Sequence, residues 1–227
     1  MNEATPDTPS RLQDIYTQIA SAAKIARREP SDIKLIAVSK TRSAEQIAPL
    51  LAAGHRFFGE NRVQEAAAKW PMLLADSPDT ELHLIGQLQS NKAEEAVALF
   101  DIIHSLDRPS LASALGKAMQ AQAKQVPCFI QVNIGDEPQK GGCPVADLPA
   151  LLDAARAAKI PVAGLMCLPP ADIEPAPFFA LLAELAARHD LGGLSMGMSD
   201  DFATAIMLGA THIRVGTALF GERASAV

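Results

Sequence analysis

Several features that would point to common classes of protein are missing from this sequence. Only three cysteines are present, at positions 128, 143 and 167, and none are spaced as CxxC, so a disulfide framework is not expected. The five histidines lack HxxH-type spacing, which argues against a metal centre. No apolar run approaches the ~18 residues of a membrane span.

The charge and the aromatic content exclude further classes of protein. The formal net charge is −6, so a broad nucleic-acid-binding surface is not expected. Aromatic residues make up only 4%, whereas alanine is frequent, which favours many closely packed helices over an aromatic-rich binding sheet. The first ten residues are polar and acidic, unlike a signal peptide. With the unpaired cysteines, these features predict a cytoplasmic protein with no membrane partner.

What is present is an ordinary globular composition. The 227 residues are 48% hydrophobic and 20% charged, which excludes general disorder and allows a sizeable core. At ~100–200 residues per domain, this length holds one full domain or two small ones. Residues 1–10 include two prolines and are predicted to be flexible. No interior linker divides the rest, so residues 11–227 are predicted to form a single domain.

Short apolar runs alternate with longer alanine-rich stretches along the chain. A first helix is predicted from Leu12 to about Arg28, before Pro30. Strands are predicted at 33–38, 57–59, 82–85, 102–106, 128–134, 162–168, 194–198 and 212–215. The helices between them are predicted at 44–53, 63–70, 92–100, 110–123, 145–158, 177–188 and 200–208.

This alternation is typical of parallel βα units. Eight such units close most simply into a single TIM-type (β/α)8 barrel, here with an extra N-terminal helix. An open doubly wound sheet is the alternative, although its GxGxxG fingerprint after the first strand is absent. In a barrel, functional groups gather at the C-terminal ends of the strands, so the polar residues after each apolar run are the candidates for a site.

Lys40 is the first such candidate, because only Ser39 separates it from the apolar run Leu35–Val38. In the mouth of a barrel its ammonium would be partly desolvated, which lowers the pKa of a lysine. A lowered pKa makes the amine nucleophilic, as an imine with an aldehyde requires. The alternative is a solvated lysine on the rim, since most lysines are exposed.

The loops after the last two strands form a second candidate site. Barrels recurrently bind phosphate in these loops, through backbone N–H groups at helix N-termini. Here the loops contain Ser199 and the pair Gly216–Thr217, whose hydroxyl groups could add donors. Ser199 could also serve only as a helix N-cap.

Two polar residues interrupt apolar strands. Arg214 lies within strand eight, where a charged side chain facing the barrel must find a partner. That partner is either a core carboxylate, in a structural ion pair, or a ring nitrogen or second anion of a ligand. His83 lies within strand three, where a single histidine is more commonly a hydrogen-bonded core residue than a ligand-binding one.

Eight sequence blocks between residues 33 and 222 resemble a known family. They are AVSKT (37–41), FGENRVQE (58–65), HLIGQLQSNK (83–92), QVNI (131–134), KGG (140–142), GLM (164–166), LSMGMSD (194–200) and RVGTALFG (214–221). In content and order they resemble the YggS/PROSC family of pyridoxal phosphate homeostasis proteins. Gln87 and the pair Cys143–Pro144 depart from that family's usual residues, both in predicted loops.

The resemblance implies a barrel like the N-terminal domain of alanine racemase, with pyridoxal 5′-phosphate (PLP) bound as an internal aldimine on Lys40. It also implies roles for residues around the cofactor. These are Ser199, Gly216 and Thr217 at the phosphate, Arg214 at the pyridine nitrogen, and Asn61, His83 and Met166 near the cofactor.

The resemblance further implies a protein of intracellular vitamin B6 homeostasis that buffers, carries or delivers PLP. A PLP-dependent amino-acid racemase is the alternative. An arginine at the pyridine nitrogen disfavours ring protonation and restrains carbanion chemistry. A two-base racemase also needs a base opposite Lys40, and the single tyrosine, Tyr16, lies in the first helix. A sugar-phosphate enzyme without PLP would leave Lys40 without an imine partner.

The expected partners follow from this reading. They are PLP itself and the apo forms of PLP-dependent enzymes that would receive it. A monomer is favoured, because the barrel accounts for nearly the whole chain and no apolar appendage or second domain is evident.

Overall fold

The computed structural model describes residues 8–221 and contains a closed barrel of eight parallel strands. Each strand pairs with the next in the chain, and β8 pairs with β1 to close the sheet. This confirms the (β/α)8 barrel and excludes the open sheet. The strands are Lys34–Val38 (β1), Phe57–Glu60 (β2), Glu81–Leu84 (β3), Ile102–Leu106 (β4), Cys128–Val132 (β5), Val162–Cys167 (β6), Gly193–Ser195 (β7) and His212–Val215 (β8).

Helices surround the barrel, and their buried faces pack against the outward side chains of the strands. They are Thr8–Ile25 (α1), Ala44–Ala52 (α2), Val63–Asp76 (α3), Ala93–Leu99 (α4), Pro109–Gln122 (α5), Leu148–Ala157 (α6), Ala176–Arg188 (α7), Phe202–Met207 (α8) and Thr217–Phe220 (α9). Within residues 8–221, none of them combines the length and the apolar character that crossing a bilayer requires.

The start of α1 and the end of α3 differ most from the prediction. Helix α1 begins at Thr8, so residues 8–10, expected in the flexible segment, are helical. Pro9 fits there because the N–H groups of a first turn have no helical acceptor. Helix α3 continues past Pro71 instead of ending before it, and the apolar side chains of Leu73 and Leu74 beyond it pack against the core. Residues 1–7 and 222–227 lie outside the described residues.

Helix α1 completes the outer layer of helices. Helix α9, which follows β8, has only four residues. Helix α1 packs against α8, α9 and α2. It therefore lies where a full-length helix after β8 would pack. Burial of a leucine or isoleucine contributes about 1.5–3 kcal/mol. The buried face of α1 consists of Leu12, Ile15, Ile19, Ala22 and Ala23. The N-terminal helix therefore takes the place of the eighth barrel helix.

Hydrogen bonds of a buried histidine link α1 to the barrel. The hydroxyl group of Tyr16 lies 2.9 Å from Nδ1 of His55, and Nε2 of His55 lies 2.8 Å from the carbonyl oxygen of Phe57. Because the carbonyl can only accept, Nε2 carries the proton and Nδ1 accepts from Tyr16. Burial lowers the pKa of His55 to about 4, so the ring is neutral near pH 7.

Acid should weaken this attachment. The pKa of His55 in the folded chain is below the ~6.5 of an unfolded chain, so the unfolded state binds the proton first. The stability that neutral His55 contributes is therefore lost as pH falls from about 6.5 towards 4. Between about pH 7 and pH 5, we expect His55→Gln to lose about 2 kcal/mol less free energy of unfolding than the wild type. Urea unfolding at both pH values measures this, and equal losses would contradict it.

Candidate functional site

Lys40 lies two residues beyond β1, at the C-terminal end of the barrel. Its side chain is half-buried. Lys34, on the same strand, donates to Glu81 on β3, which is not a neighbour of β1, so this set of side chains faces the barrel interior. Strand side chains alternate between the two faces, but β1 ends at Val38 and Lys40 lies in the turn beyond it. That its amine is directed into the barrel mouth rather than onto a solvated rim therefore stays a prediction.

A buried carboxylate and the lysine paired with it hold the residue before Lys40. Glu60, at the end of β2, is fully buried, and its Oε1 accepts a hydrogen bond from the hydroxyl of Ser39 at 2.5 Å. The same oxygen accepts from Nε1 of Trp70 at 3.0 Å and lies 2.9 Å from Nζ of Lys69. Lys69 also donates to the carbonyl oxygen of Ser39 at 2.8 Å. The residue before Lys40 is therefore bonded at both its side chain and its carbonyl.

The residue after Lys40 adopts a strained backbone conformation. Thr41 has φ = 61°, in the left-handed region that a β-branched residue rarely occupies. Its N–H donates to Oε1 of Glu65 at 2.5 Å, and its hydroxyl donates to the carbonyl of Lys40 at 2.6 Å. Glu65 is in turn paired with Lys69 at 2.9 Å. This network compensates a strain that turns the chain sharply just beyond the lysine.

Arg214 is a buried cation without a carboxylate partner. Its side chain is on β8, and only 4% of the residue is exposed. Nη1 donates to Oγ of Ser195 at 2.6 Å, and Nη2 donates to the carbonyl oxygen of Cys167 at 2.9 Å. Among residues 8–221, no ion pair includes Arg214, so the structural ion pair considered from the sequence is not formed. Burial lowers the pKa of Arg214, and its remaining N–H groups are available to a ligand.

A glycine and an aspartate determine the conformation of the loop after β7. Gly197 has φ = 93°, and a β-carbon there would lie 2.6 Å from Cβ of Ala205, so glycine is required. Its carbonyl accepts from the N–H of Arg214 at 2.9 Å, which ties the loop to β8. Asp201, not Ser199, is at the N-cap position of α8, but its side chain makes no cap hydrogen bond with the helix. Its Oδ1 instead accepts from the N–H of Met198 at 2.5 Å, within the loop.

The loop after β8 lies against the strand that leads to Lys40. A β-carbon added to Gly216 would be 3.3 Å from Cβ of Val38, two residues before the lysine. Gly216 is the N-cap of α9, and Thr217 is the first residue of that helix and is exposed. The first amide groups of a helix have no helical acceptor. The two loops predicted to bind phosphate thus flank the end of β1 and the backbone of Arg214.

The remaining predicted residues are distributed at different depths. Met166 is buried on β6, where it pairs in register with Ser195. Asn61 follows β2 and is half-buried; a β-carbon on Gly86 would lie 2.3 Å from the carbonyl oxygen of Asn61.

His83 is fully buried, and its Nδ1 lies 2.9 Å from Nε2 of His104. His83 reaches Arg214 only through other side chains.

Cavity size alone does not locate the site. A polar cavity of about 450 Å³ opens beside Asn61 and Gly86, between the loops after β2 and β3. A larger groove of about 570 Å³ lies on the outer surface between α5 and α6. The side chains that converge on the strand ends, rather than the larger volume, identify the candidate site.

Two buried side chains next to Arg214 are functional candidates that the sequence pattern does not assign to the site. Ser195 and His104 contact each other through Oγ and Nδ1 at 2.8 Å, and both are fully buried. His104 lies within a predicted strand, as His83 does, and a histidine inside a largely apolar strand is the available signal. Their contact could not be predicted, because β4 and β7 are not adjacent in the sheet.

Comparison with known proteins gives matches over nearly the whole chain. The model of the alanine racemase N-terminal domain matches residues 11–224. The pyridoxal phosphate homeostasis protein of Pseudomonas aeruginosa is 42% identical over 218 residues, which cover 93% of this chain and 94% of the relative. That of Escherichia coli K12 is 37% identical, covering 96% and 97% respectively. The chain belongs to the family of pyridoxal phosphate homeostasis proteins.

Solved structures place this family member within a wider fold group. PipY of Synechococcus elongatus, solved with PLP bound, is 41% identical; the match covers 89% of this chain and all of PipY, with a TM-score of 0.80. Alanine racemase of Clostridium difficile is only 13% identical and matches with a TM-score of 0.67, covering 93% of this chain and 57% of the racemase. The racemase likeness concerns the fold alone.

Proposed function

We propose that this chain binds pyridoxal 5′-phosphate through a Schiff base on Lys40 and acts in intracellular vitamin B6 homeostasis by holding and delivering the cofactor. The amine nitrogen of Lys40 would replace the aldehyde oxygen of PLP, which leaves as water. The observation that carries the proposal is the PLP-bound structure of PipY, a relative that matches nearly the whole barrel at 41% identity.

The residues at the barrel mouth fit this cofactor. PLP supplies an aldehyde, a phosphate dianion and a pyridine nitrogen that can accept a hydrogen bond. Lys40 offers an amine for the first, and the loops containing Ser199, Gly216 and Thr217 offer hydroxyl and amide donors for the second. Arg214 is buried, donates to only two acceptors, both neutral, and has further N–H groups that suit the pyridine nitrogen. Asn61 and Met166 would contact the ring from the ends of β2 and β6.

The position of Tyr16 supports a carrier over a two-base racemase. Its hydroxyl group donates to His55, which precedes β2 at the N-terminal end of the barrel. Lys40 follows β1 at the opposite end, so Tyr16 cannot act on a substrate bound there. Arg214 also holds no proton acceptor, so it would keep the pyridine nitrogen unprotonated and restrain carbanion chemistry.

Transfer of the cofactor tests the proposal. Purified protein loaded with PLP is expected to be yellow and to restore activity to the apo form of an aminotransferase. A phosphatase that destroys free PLP, added to the mixture, separates delivery from the protein from passive leakage. Recovery of activity in its presence, at rates above those from an equal amount of free PLP, is the expected result. Protein that takes up no PLP would overturn the proposal.

The racemase alternative has its own measurement. Exchange of the α-proton of amino acids in heavy water reports carbanion formation directly. We expect exchange no faster than with free PLP at the same concentration. Rapid exchange that requires Lys40 would replace the carrier proposal with an enzyme.

A further inference from the structure

The interior of this barrel contains a cluster of polar side chains, although barrel interiors are commonly filled by branched apolar side chains. The contact between His104 and Ser195 joins β4 to β7, which are not neighbours, so it crosses the inside of the barrel. The polar side chains that contact one another there are Lys34, Glu81, His83, His104, Ser195, His212 and Arg214.

Glu81 fixes the proton positions at one end of this set. Burial alone would raise the pKa of Glu81, but its contacts with His83 and Lys34 lower that pKa to about 2, so it is ionised and only accepts. Nε2 of His83 lies 2.8 Å from Oε1 of Glu81, at ion-pair distance although without the alignment of a hydrogen bond. Burial lowers the pKa of His83, which is therefore neutral, with its single proton on Nε2 facing the carboxylate.

Arg214 fixes the other end, because a guanidinium only donates. Its Nη1 donates to Oγ of Ser195 at 2.6 Å, and the Ser195 hydroxyl in turn donates to Nδ1 of His104 at 2.8 Å. His104 is also neutral, because burial lowers its pKa, so its single proton is on Nε2 and is donated to Nδ1 of His83 at 2.9 Å. All these hydrogen bonds point the same way, from Arg214 towards Glu81.

We propose that Ser195, His104 and His83 form a positioning chain, which holds the Arg214 guanidinium in the orientation that presents its free N–H groups to the ring nitrogen of the cofactor. The proposal rests on the proposed PLP-binding function. In this proposal the chain acts on the orientation of Arg214 and not directly on the cofactor. The three side chains of the chain lie between Arg214 and Glu81.

The physical need for such a chain lies in the Ser195 hydroxyl. A serine hydroxyl rotates freely and could turn its hydrogen towards the guanidinium, which would repel it. Because its hydrogen is committed to His104, a lone pair of Ser195 faces Nη1. Nη2 donates to the carbonyl oxygen of Cys167. Each of the two Nη atoms therefore has its own fixed acceptor, and the two acceptors together define the plane of the guanidinium. Chains of hydrogen bonds also polarise and strengthen one another.

A matched pair of serine variants tests the proposal. Ser195 and Ser105 are both fully buried in the barrel sheet, but Oγ of Ser105 has no hydrogen-bond partner among the described residues. Titration with PLP is followed by the visible absorbance of the bound cofactor. Because Ser195→Ala removes one of the two acceptors that orient Arg214, we expect it to weaken PLP binding about 10- to 100-fold and to shift the absorbance maximum. Ser105→Ala should change neither.

Two substitutions of His104 provide a second, independent test. The amide oxygen of His104→Asn can occupy the position of Nδ1 and accept from Ser195, whereas the amide of His104→Gln lies near the position of Nε2 and leaves Ser195 without its acceptor. We expect the wild-type spectrum in His104→Asn, with affinity within about threefold. His104→Gln should resemble Ser195→Ala.

The outcomes separate this inference from the proposed function. A wild-type protein that binds no PLP would overturn the function and, with it, the chain. Wild-type binding with identical spectra and affinities for Ser195→Ala and Ser105→Ala would overturn the positioning chain alone. If Ser195→Ala does not fold, the two His104 variants decide, and equal spectra in both would count against the chain.

Discussion

Lys40→Arg is expected to give a folded barrel that no longer binds PLP covalently. The guanidinium keeps the positive charge but remains protonated, so it cannot attack an aldehyde. Loss of the covalent bond should weaken PLP binding by about 100-fold or more, equivalent to about 3 kcal/mol. The colour of the Schiff base should disappear. Treatment of the loaded wild type with borohydride, followed by mass spectrometry, should locate one reduced pyridoxal phosphate on Lys40.

A second lysine serves as the control for this experiment. Lys92 is half-buried in the loop after β3 and pairs with Glu95 at 2.7 Å, a contact that arginine can keep. Lys92→Arg should therefore retain both the colour and the borohydride adduct. The contrary outcome is an adduct on another lysine in Lys40→Arg that forms at the wild-type rate. It would mean that the protein binds PLP but that the Schiff base is not specific to Lys40.

The fold could be predicted from local sequence patterns. The alternation of apolar strands with alanine-rich helices predicts eight βα units, and the observed strands lie within or next to the predicted ones. What could not be predicted is the role of α1, because only the packing against α8 and α2 shows that it replaces the short helix after β8. Pro71 is a related case, since local propensity favours a helix end there and tertiary packing overrides it.

The site could be predicted only in part, because strand ends are visible in a sequence whereas barrel interiors are not. Lys40 and the two glycine-containing loops follow apolar runs directly, so the barrel topology alone brings them to one end. The contacts of Arg214 are different. Its acceptors, Ser195 and the carbonyl of Cys167, come from β7 and β6, and whether a strand residue faces inward depends on a register that the sequence does not state.

The buried cluster next to Lys40 leads to the second large effect. Lys69 is largely buried and is the cation closest to the fully buried Glu60, at 2.9 Å. Lys69→Met keeps the aliphatic stem but leaves the Glu60 carboxylate without a countercharge. Removing one partner of a buried ion pair costs about 3–5 kcal/mol, so we expect a loss of that size in the free energy of unfolding.

The double variant Glu60→Gln/Lys69→Met distinguishes an uncompensated charge from lost packing. Glutamine keeps an oxygen that can accept from Ser39 and Trp70 but carries no charge, so most of the lost stability should return. Trp70 is the only tryptophan in the sequence and donates to Glu60, so its fluorescence reports urea unfolding at the cluster itself. If the double variant were as unstable as Lys69→Met, the hydrogen bonds of Lys69 to the backbone around Lys40, rather than the buried charge of Glu60, would account for the loss.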